Sequence, residues 1–571
     1  MANFFDDNKA LLFHLNHPLM DKIITLKERD FKDYGKYDYA PKDIEDAKDS
    51  YNKVLSLIGE ITGEVLAANA ESVDKQGVRI EDNAVIYADG TKENHKVLTD
   101  AGVYGLSLSR KYNGLNFSYV PYAMAAEIVS RGDCGFANIW GLQDCAETIY
   151  EFGSDELKDK YLPLINKGYT CSMDLTEPEA GSDLQSVSLK ASFDEKENCW
   201  RLNGVKRFIT NGDADIKLVL ARSEEGSTDA RGLSYFVHER TDGGVIVRRT
   251  EKKLGIHGSP TCELVFNNAK AYLVGERRLG LIKYTMALMN GARLGVAAQS
   301  VGVSEAACRL AMEYAKERKQ FNTTINTFFQ VKEMLSMMRA KTDAIRSLLY
   351  ENCRAVDMTK LYEDISKERK LEPEERQAYK KYARMADIFT PLLKLFSSEY
   401  ANQNTYDCIQ VYGGSGYMQD YPCERLYRDA RILNIYEGTS QLQVVAAIKG
   451  VINGGFLDKM KEYEQTEIDN KFDAMRETLK DLRLQYEQSV EKINSFGSTS
   501  EAHEFNSRRL VEMAGYIIMA HLLIIDSSRD AMFTDSAKIM TKKTQQEVYS
   551  RKAFIDNFTE EDLEAYKNLS K

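Results

Sequence analysis

One carboxylate in this chain stands where it could act on a bound substrate rather than on the protein itself. Glu437 precedes Gly438 and Thr439 within Arg428–Gln443 (RDARILNIYEGTSQLQ), and an apolar helix is expected over Leu442–Ile452. Thr439 is a candidate N-cap, which would turn the positive end of that helix and its free amides toward an anionic group. Glu437 then sits just outside the helix, within reach of a ligand; the plainer alternative is a first-turn carboxylate that only favours the helix dipole. Two polar turns carry further chemistry. Asp174–Asp183 (DLTEPEAGSD) offers Gly181 and exposed amides beside Thr176 and Ser182, suited to the edge of a heteroaromatic ring or to a phosphate, with an ordinary helix-to-strand turn as the alternative. Arg207–Gly212 (RFITNG) offers Phe208 for stacking and Thr210 as a donor to a ring nitrogen, with a plain hairpin as the alternative.

The elements that must hold these residues follow from the texture of the chain. At 571 residues, about three or four structural units are expected. Hydrophobic residues at 43% and only 9 prolines favour a large core rich in helix. Helical spacing, as at Val54, Leu55, Ile58, Ile61 and Val65, runs to about Lys167. Short β-prone runs then follow: Ser188–Phe193, Trp200–Leu202, Lys217–Ala221, Ser234–His238, Val245–Arg249 and Thr261–Phe266. They are separated by the turn signals Asn203-Gly204, Asn211-Gly212 and Asp242-Gly243. This pattern predicts a β-sandwich or barrel. After Leu281 the chain is helical again, with a long helix over Leu294–Arg318. The predicted fold is α+β, mostly α. It has an N-terminal helical domain over 1–168 with an extension at 1–41, a middle β domain over 169–282, and a helical bundle over 283–453. A charged insertion at 357–381, centred on Glu363–Gln377, is expected between two bundle helices, with an exposed loop or helix tip without chemistry as the plainer reading. An extra helical domain over 454–571 is interrupted by the Ser-rich stretch Gly497–Ser500.

Composition removes several function classes. The net charge of −11 argues against a nucleic-acid or anionic-membrane surface. Nine scattered cysteines without a CxxC pair argue against a disulfide framework or a zinc site and fit reduced thiols in a cytosol-like compartment. His14 and His17 are the one pair of clustered histidines, read as packing or surface residues, so no metal site is expected. The start, MANFFDDNKA, has no basic segment leading into an apolar run. Met513–Ile525, thirteen apolar residues with His521 among them, reads as a buried helix too short to span a bilayer.

Five segments occur in the order and approximate intervals of one family: LTEPEAGSD, FITNG, ERKQF, QVYGGSGY and IYEGTSQLQ. Over about 50–450 the chain resembles the acyl-CoA dehydrogenase flavoproteins. Its prefix, its tail, FGSDELKDKYLP and KLGIHGSPTCEL resemble the larger subgroup that includes 3-methylmercaptopropionyl-CoA dehydrogenase. The resemblance implies FAD, an acyl-CoA thioester substrate, electron-transferring flavoprotein as acceptor, and a place in fatty-acid β-oxidation. It implies that Met173, Leu175 and Thr176 contact the flavin ring, that Ser182 contacts the cofactor or the CoA phosphates, and that Thr210 approaches the N5 side. Phe208 stands where many members carry a Trp, so stacking is kept but the indole donor is lost. Arg318, Gln320, Phe321, Gln410, Gly413 and Gly414 resemble segments that contact the FAD of a neighbouring subunit. Thr439 and Gln441 resemble the residues on its phosphate or adenosine atoms, and Arg293 the arginine near the CoA nucleotide. Glu437 resembles the base that takes the α-proton; its own backbone amide and a flavin ribityl hydroxyl resemble the pair that holds the thioester carbonyl, and Gly438 is placed with Glu437 on the substrate. A position used for the base in other members is Ala292 here, which cannot accept a proton.

The resemblance also implies a homo-oligomer, with a dimer preferred to a dimer of dimers, while the scattered cysteines and the start of the chain point to a cytoplasmic location. An acyl-CoA oxidase is the rival enzyme reading. A DNA-associated alkylation-response flavoprotein is the rival of another class, disfavoured by the mixed charges of Phe456–Lys571. Trp140, Leu142 and Gln143 are read as lining the acyl pocket or as ordinary core.

Overall fold

The computed structural model describes residues 2–497 and 500–570. The chain forms two compact units, one comprising Met1–Val303 and Glu424–Ile432, the other Ser304–Cys423 and Leu433–Lys571.

In the first unit, helices α1 (Lys9–Leu15), α2 (Leu19–Lys27), α3 (Ile44–Ile61), α4 (Ala67–Gln76) and α5 (Asp89–Asp100) precede α6 (Tyr119–Gly132), α7 (Cys134–Gly141), α8 (Cys145–Phe152) and α9 (Asp155–Asn166). A small antiparallel hairpin, β1 (Arg79–Glu81) with β2 (Ala84–Ile86), interrupts the helical texture that the sequence suggests there. Seven strands follow: β3 (Cys171–Asp174), β4 (Lys190–Asp194), β5 (Cys199–Thr210), β6 (Ile216–Arg222), β7 (Leu233–Glu239), β8 (Val245–Thr250) and β9 (Thr261–Val274). Pairings β6–β4, β4–β5, β5–β9, β9–β7 and β7–β6 close on themselves, with β3 added parallel to β6 and β8 antiparallel to β9. The β domain is therefore a barrel rather than an open sandwich. Strand β6 reads IKLVLAR because both its faces are covered. Ile216, Leu218 and Leu220 join the core shared with α8, α9 and Tyr284, whereas Val219 and Ala221 join the barrel interior with Leu202, Phe236 and Leu264.

Asn203-Gly204, expected as a turn, lies inside β5. The register against β9 shifts between Leu202 and Gly204, so the pair forms a bulge. Gly204 has φ +147°, and a Cβ there would come within 3.0 Å of the Leu189 Cα, which is why glycine occupies it. Asn211-Gly212 and Asp242-Gly243 are turns, as their composition suggests.

The returning segment Glu424–Ile432 is fastened into this unit. Arg428 Nη2 reaches Asp74 at 2.7 Å and Glu424 at 2.9 Å, and the Ile256 amide donates to Asp429. Burial pushes the Asp429 carboxyl up to about 6, against the pull of Arg425. Asp74, despite burial, is held well below the usual carboxylate range by hydrogen bonds and charge from His257 and Arg428.

Helix α10 (Met286–Glu317) leads into the second unit, which carries the hairpin β10 (Lys319–Gln320) and β11 (Thr323–Thr324), then α11 (Phe329–Glu368) and α12 (Pro373–Tyr412). The charged segment between the two bundle helices is the tip of a helical hairpin, the plainer of its two readings. α11 runs to Glu368 and α12 restarts at Pro373 through a capping box between Glu372 and Glu375. Both guanidinium nitrogens of Arg369 bond Glu375 at 2.7 Å, so the charges are absorbed by the helix ends. After α13 (Pro422–Ala430), α14 (Ser440–Ile452) and α15 (Gly455–Glu464) lead to α16 (Asp473–Asn494), α17 (Glu501–Arg529), α18 (Thr534–Asn557) and α19 (Glu560–Leu569). Ser498 and Thr499 of the Ser-rich stretch lie outside the described residues. Hydrogen bonds of 2.6 Å from Ser347 to Asp526 and from Ser536 to Asp343 pin α17 and α18 to α11. The apolar stretch at Met513–Ile525 belongs to α17, whose 29 residues are long and apolar enough to cross a membrane, contrary to the expectation from the shorter run. Since 89% of its most apolar window is buried, it is the core helix of this unit.

Candidate functional site

The candidate residues divide between the two units. On the first, β3 delivers Met173 half-buried and leads into Leu175, Thr176 and the exposed Ser182, while β5 delivers Phe208 and Thr210. One backbone hydrogen bond, Arg207 N to Thr176 O at 2.9 Å, joins the two motifs. Beneath them Lys206, fully buried, donates from Nζ to Leu175 O at 2.8 Å and to Glu177 Oε1 at 2.9 Å. The Glu177 carboxylate also accepts from Ser188 N, Ser188 Oγ and Leu189 N. The loop is thus built around an inward ion pair. Burial alone would raise the Glu177 carboxyl, but Lys206 and the two amides hold it below its ordinary value.

Asp174 is fully buried and its carboxyl is pushed up to about 6, by desolvation that Lys217 and Lys206 only partly offset. Lys217 caps the Gly212 and Ala214 carbonyls at 2.8 and 2.7 Å, closing the turn after Thr210. Sequence reasoning missed Lys206, Glu177 and Lys217; a signal was present only for Lys217, a lysine heading the β-prone run Lys217–Ala221.

Phe208 is unusual on two counts. Its φ is +61°, in the left-handed region that aromatic residues avoid, and the residue is 52% exposed. The register shift between Lys206 and Ile209 turns it outward, and the Arg207 guanidinium lies 4.6 Å from the ring centre. Arg293, on α10, is half-buried and donates to Asn290 Oδ1 at 3.0 Å. Trp140 is core, stacked on Tyr122 at 5.6 Å, and the Gln143 side chain is spent on Gly105 N and Trp140 O. Leu142 packs in the core against α8.

On the second unit, Phe321 and Asn322 form the left-handed turn between β10 and β11, with φ +51° and +63°, and Phe321 is 90% exposed. Arg318 and Gln320 flank it, both exposed. Gln410 is exposed near the end of α12, and Gly413 (φ +61°) terminates that helix. A Cβ on Gly413 or Gly414 would meet nothing within 4 Å, so these glycines border open space. Tyr412, stacked on Tyr314 at 4.0 Å, fixes the turn from behind.

Thr439 caps α14, its hydroxyl accepting from Leu442 N, and Gln441 is exposed in the first turn. Glu437 and Gly438 before it are both left-handed, with φ +53° and +91°. Their carbonyls face inward. Gln443 Nε2 donates to Gly438 O at 2.9 Å and to Glu437 O at 3.2 Å, and Lys394 Nζ donates to Gly438 O at 2.7 Å. Phe208, Phe321 and Glu437, three large side chains among the candidates, therefore share a conformation that costs about 1–3 kcal/mol apiece and concentrates at functional sites. His257 pairs with Asp74 at 2.9 Å, and among the described residues no cluster of His, Cys, Asp and Glu could hold a metal ion.

Four family models match the chain: "Acyl-CoA dehydrogenase, N-terminal domain" over 58–169, "middle domain" over 172–269, "C-terminal domain" over 282–451, and "Acyl-CoA dehydrogenase C terminal" over 452–563. An acyl-CoA dehydrogenase of Bacillus subtilis is 35% identical, covering 62% of this chain and 88% of that protein. 3-Methylmercaptopropionyl-CoA dehydrogenase of Ruegeria pomeroyi is 33% identical, covering 71% of this chain and 70% of that protein. A Bacillus anthracis acyl-CoA dehydrogenase solved with FAD has the same fold, with a TM-score of 0.73 at 24% identity over 89% of this chain and 88% of that one.

Proposed function

The chain belongs to the acyl-CoA dehydrogenase family of oxidoreductases, and we propose that it binds FAD and converts an acyl-CoA thioester to the trans-2-enoyl-CoA, with Glu437 as the base. The observation that carries this reading is the pair of left-handed residues, Glu437 and Gly438, set directly before a capped helix.

The residues present fit the cofactor. Phe208 offers an exposed ring, Thr176 and Thr210 offer half-buried hydroxyls, and Gly413 and Gly414 leave open the space a side chain would fill. Met173, Leu175, Thr176, Phe208 and Thr210 would hold the flavin ring, Ser182 the cofactor or CoA phosphates, and Thr439 and Gln441 the phosphate and adenosine end. Arg318, Gln320, Phe321, Gln410, Gly413 and Gly414 would serve the FAD of a second subunit. When bound, FAD supplies the acceptor for the β-hydride. The chain supplies the rest. The α-proton of a thioester is weakly acidic, so its base must be close and poorly solvated; covering Glu437 with substrate raises its proton affinity toward that task. The amide of Glu437 would donate to the thioester oxygen as negative charge develops there, and Arg293 would meet the CoA nucleotide.

Three exposed aromatics on the second unit, Phe321, Phe329 (80%) and Tyr417 (79%), support burial against another copy, and we favour a homodimer. All nine cysteines are buried and none is in a disulfide, which supports a cytoplasmic setting. Electron-transferring flavoprotein is the proposed acceptor. Anaerobic titration of the flavin-loaded protein with a panel of acyl-CoAs tests the reading. One thioester should bleach the flavin, and Glu437→Gln, with FAD still bound, should not respond. Bound flavin that no thioester bleaches would refute the reading.

A further inference from the structure

Lys394 is the one charged residue in the apolar run Leu392–Phe396 of α12, and its side chain is fully buried. An ammonium group in such surroundings is costly unless hydrogen-bonded, and an apolar residue there would pack at less expense. Its Nζ donates to Gly438 O at 2.7 Å. The same carbonyl accepts from Gln443 Nε2 at 2.9 Å, and this nitrogen also lies 3.2 Å from Glu437 O. Gln443 is likewise fully buried. Two donors from two helices, α12 and α14, therefore converge on the carbonyls of two residues that both have positive φ. A short peptide with Glu in the left-handed region would relax toward a common conformation, since that region disfavours a Cβ. Here relaxation would rotate the Gly438 carbonyl away from Lys394 and Gln443 and leave a buried ammonium and a buried amide without that acceptor. A further tie holds the far side: Ser440 N donates to Asn434 O at 3.1 Å, and Ser440 Oγ bonds Glu399.

We propose that Lys394 and Gln443 are positioning residues that hold the Glu437–Gly438 backbone in its left-handed conformation and so aim the Glu437 carboxylate. The inference rests on the reading of Glu437 as base. It assigns a task to a lysine that neither touches the reacting atoms nor stands near Glu437 in sequence.

The test uses the full-length, FAD-loaded protein in four forms: wild type, Lys394→Met, Gln443→Leu and Glu437→Gln. Substrates are a series from butyryl-CoA to lauroyl-CoA, and the fastest of them also in α,α-dideuterated form. Misplacing a base by about 1 Å lowers kcat by roughly 10²-fold. Lys394→Met and Gln443→Leu are therefore expected to lose kcat on that scale, with KM and flavin content near wild type. Their α-deuterium isotope effect should rise, because proton removal becomes slower than the other steps. A loss of kcat with an unchanged isotope effect would mean general damage and would overturn the proposal. So would wild-type turnover in both variants while Glu437→Gln is inactive. If Glu437→Gln itself turns over normally, the base reading fails, and the clamp falls with it. Should Lys394→Met not accumulate folded, Gln443→Leu decides by the same two readouts.

Discussion

Lys206→Met tests whether the loop after β3 is held by the ion pair beneath it. The ammonium is fully buried, donates to Leu175 O at 2.8 Å and to Glu177 Oε1 at 2.9 Å, and Glu177 is only 5% exposed. Methionine nearly conserves the volume, so the cavity contribution is small. What is lost is the counter-charge of a buried carboxylate, and removing one partner of such a pair costs about 3–5 kcal/mol. Glu177 keeps its bonds from Ser188 and Leu189, which sets the expectation at the lower end of that range. Lys206→Met/Glu177→Gln, which removes both charges and keeps an acceptor for the amides, should recover most of the loss. Urea unfolding followed by tryptophan fluorescence isolates the effect, because Trp140 and Trp200, the two tryptophans of the chain, both lie in the first unit. The pH dependence has a definite sign. In the wild type the folded Glu177 carboxyl lies below its ordinary value, so its stabilisation is present above the unfolded pKa and is lost as pH falls through the folded one. Without Lys206, burial pushes that carboxyl up, and protonation relieves the unpaired charge. The deficit of Lys206→Met should therefore shrink on going from neutral pH to about pH 5. A deficit below about 1 kcal/mol, or one that stays constant with pH, would refute the reasoning.

Two further perturbations separate strain from function and acid sensitivity from the site. Phe208→Gly should relieve about 1 kcal/mol of backbone cost and leave the apoprotein at least as stable, while the flavin absorption bands shift and FAD dissociates faster; Phe208→Trp should retain FAD. Thermal unfolding of the apoprotein and flavin spectra read the two effects apart. In α17, burial with the added push of Arg483 and Arg476 lowers the His521 imidazole to about 3. A histidine depressed in the folded state contributes fully above its unfolded pKa and loses that contribution as pH falls below it. The second unit should lose about 2 kcal/mol between pH 7 and 5 on this account, and His521→Phe should flatten the acid side of a Tm-against-pH curve.

The candidate motifs were legible because they are local. Thr439 could be read as a cap from its place before an apolar run, and β6 as a strand from the five residues Lys217–Ala221. What escaped was long-range or conformational. Asn203-Gly204 has turn composition, but β9 pairs across it and converts it to a bulge. Nothing in the sequence distinguishes Phe208 or Phe321 from residues of ordinary φ, since their conformation is imposed by a register shift and by a two-residue turn. Lys206 and Lys394 look like surface lysines until Glu177 and the Gly438 carbonyl, 29 and 44 residues away, come to meet them. The charges around Glu363–Gln377 marked a solvated tip between two helices, but the capping box and the Arg369–Glu375 pair that shape it could not be read from charge alone.

The segment Glu424–Ile432 also constrains how the polypeptide can be made and divided. The first unit draws its Arg428 and Asp429 from a stretch synthesised 120 residues after Val303, its last contiguous residue. During synthesis, Asp74 and the Ile256 amide wait without these partners until residues 424–432 have left the ribosome, by which time α10 through α12 have emerged. A fragment ending at Val303 would carry that defect permanently. The chain has no cut that yields two whole pieces, and expression of either half alone should give a product that only its complement, supplied in trans with residues 424–432, can complete.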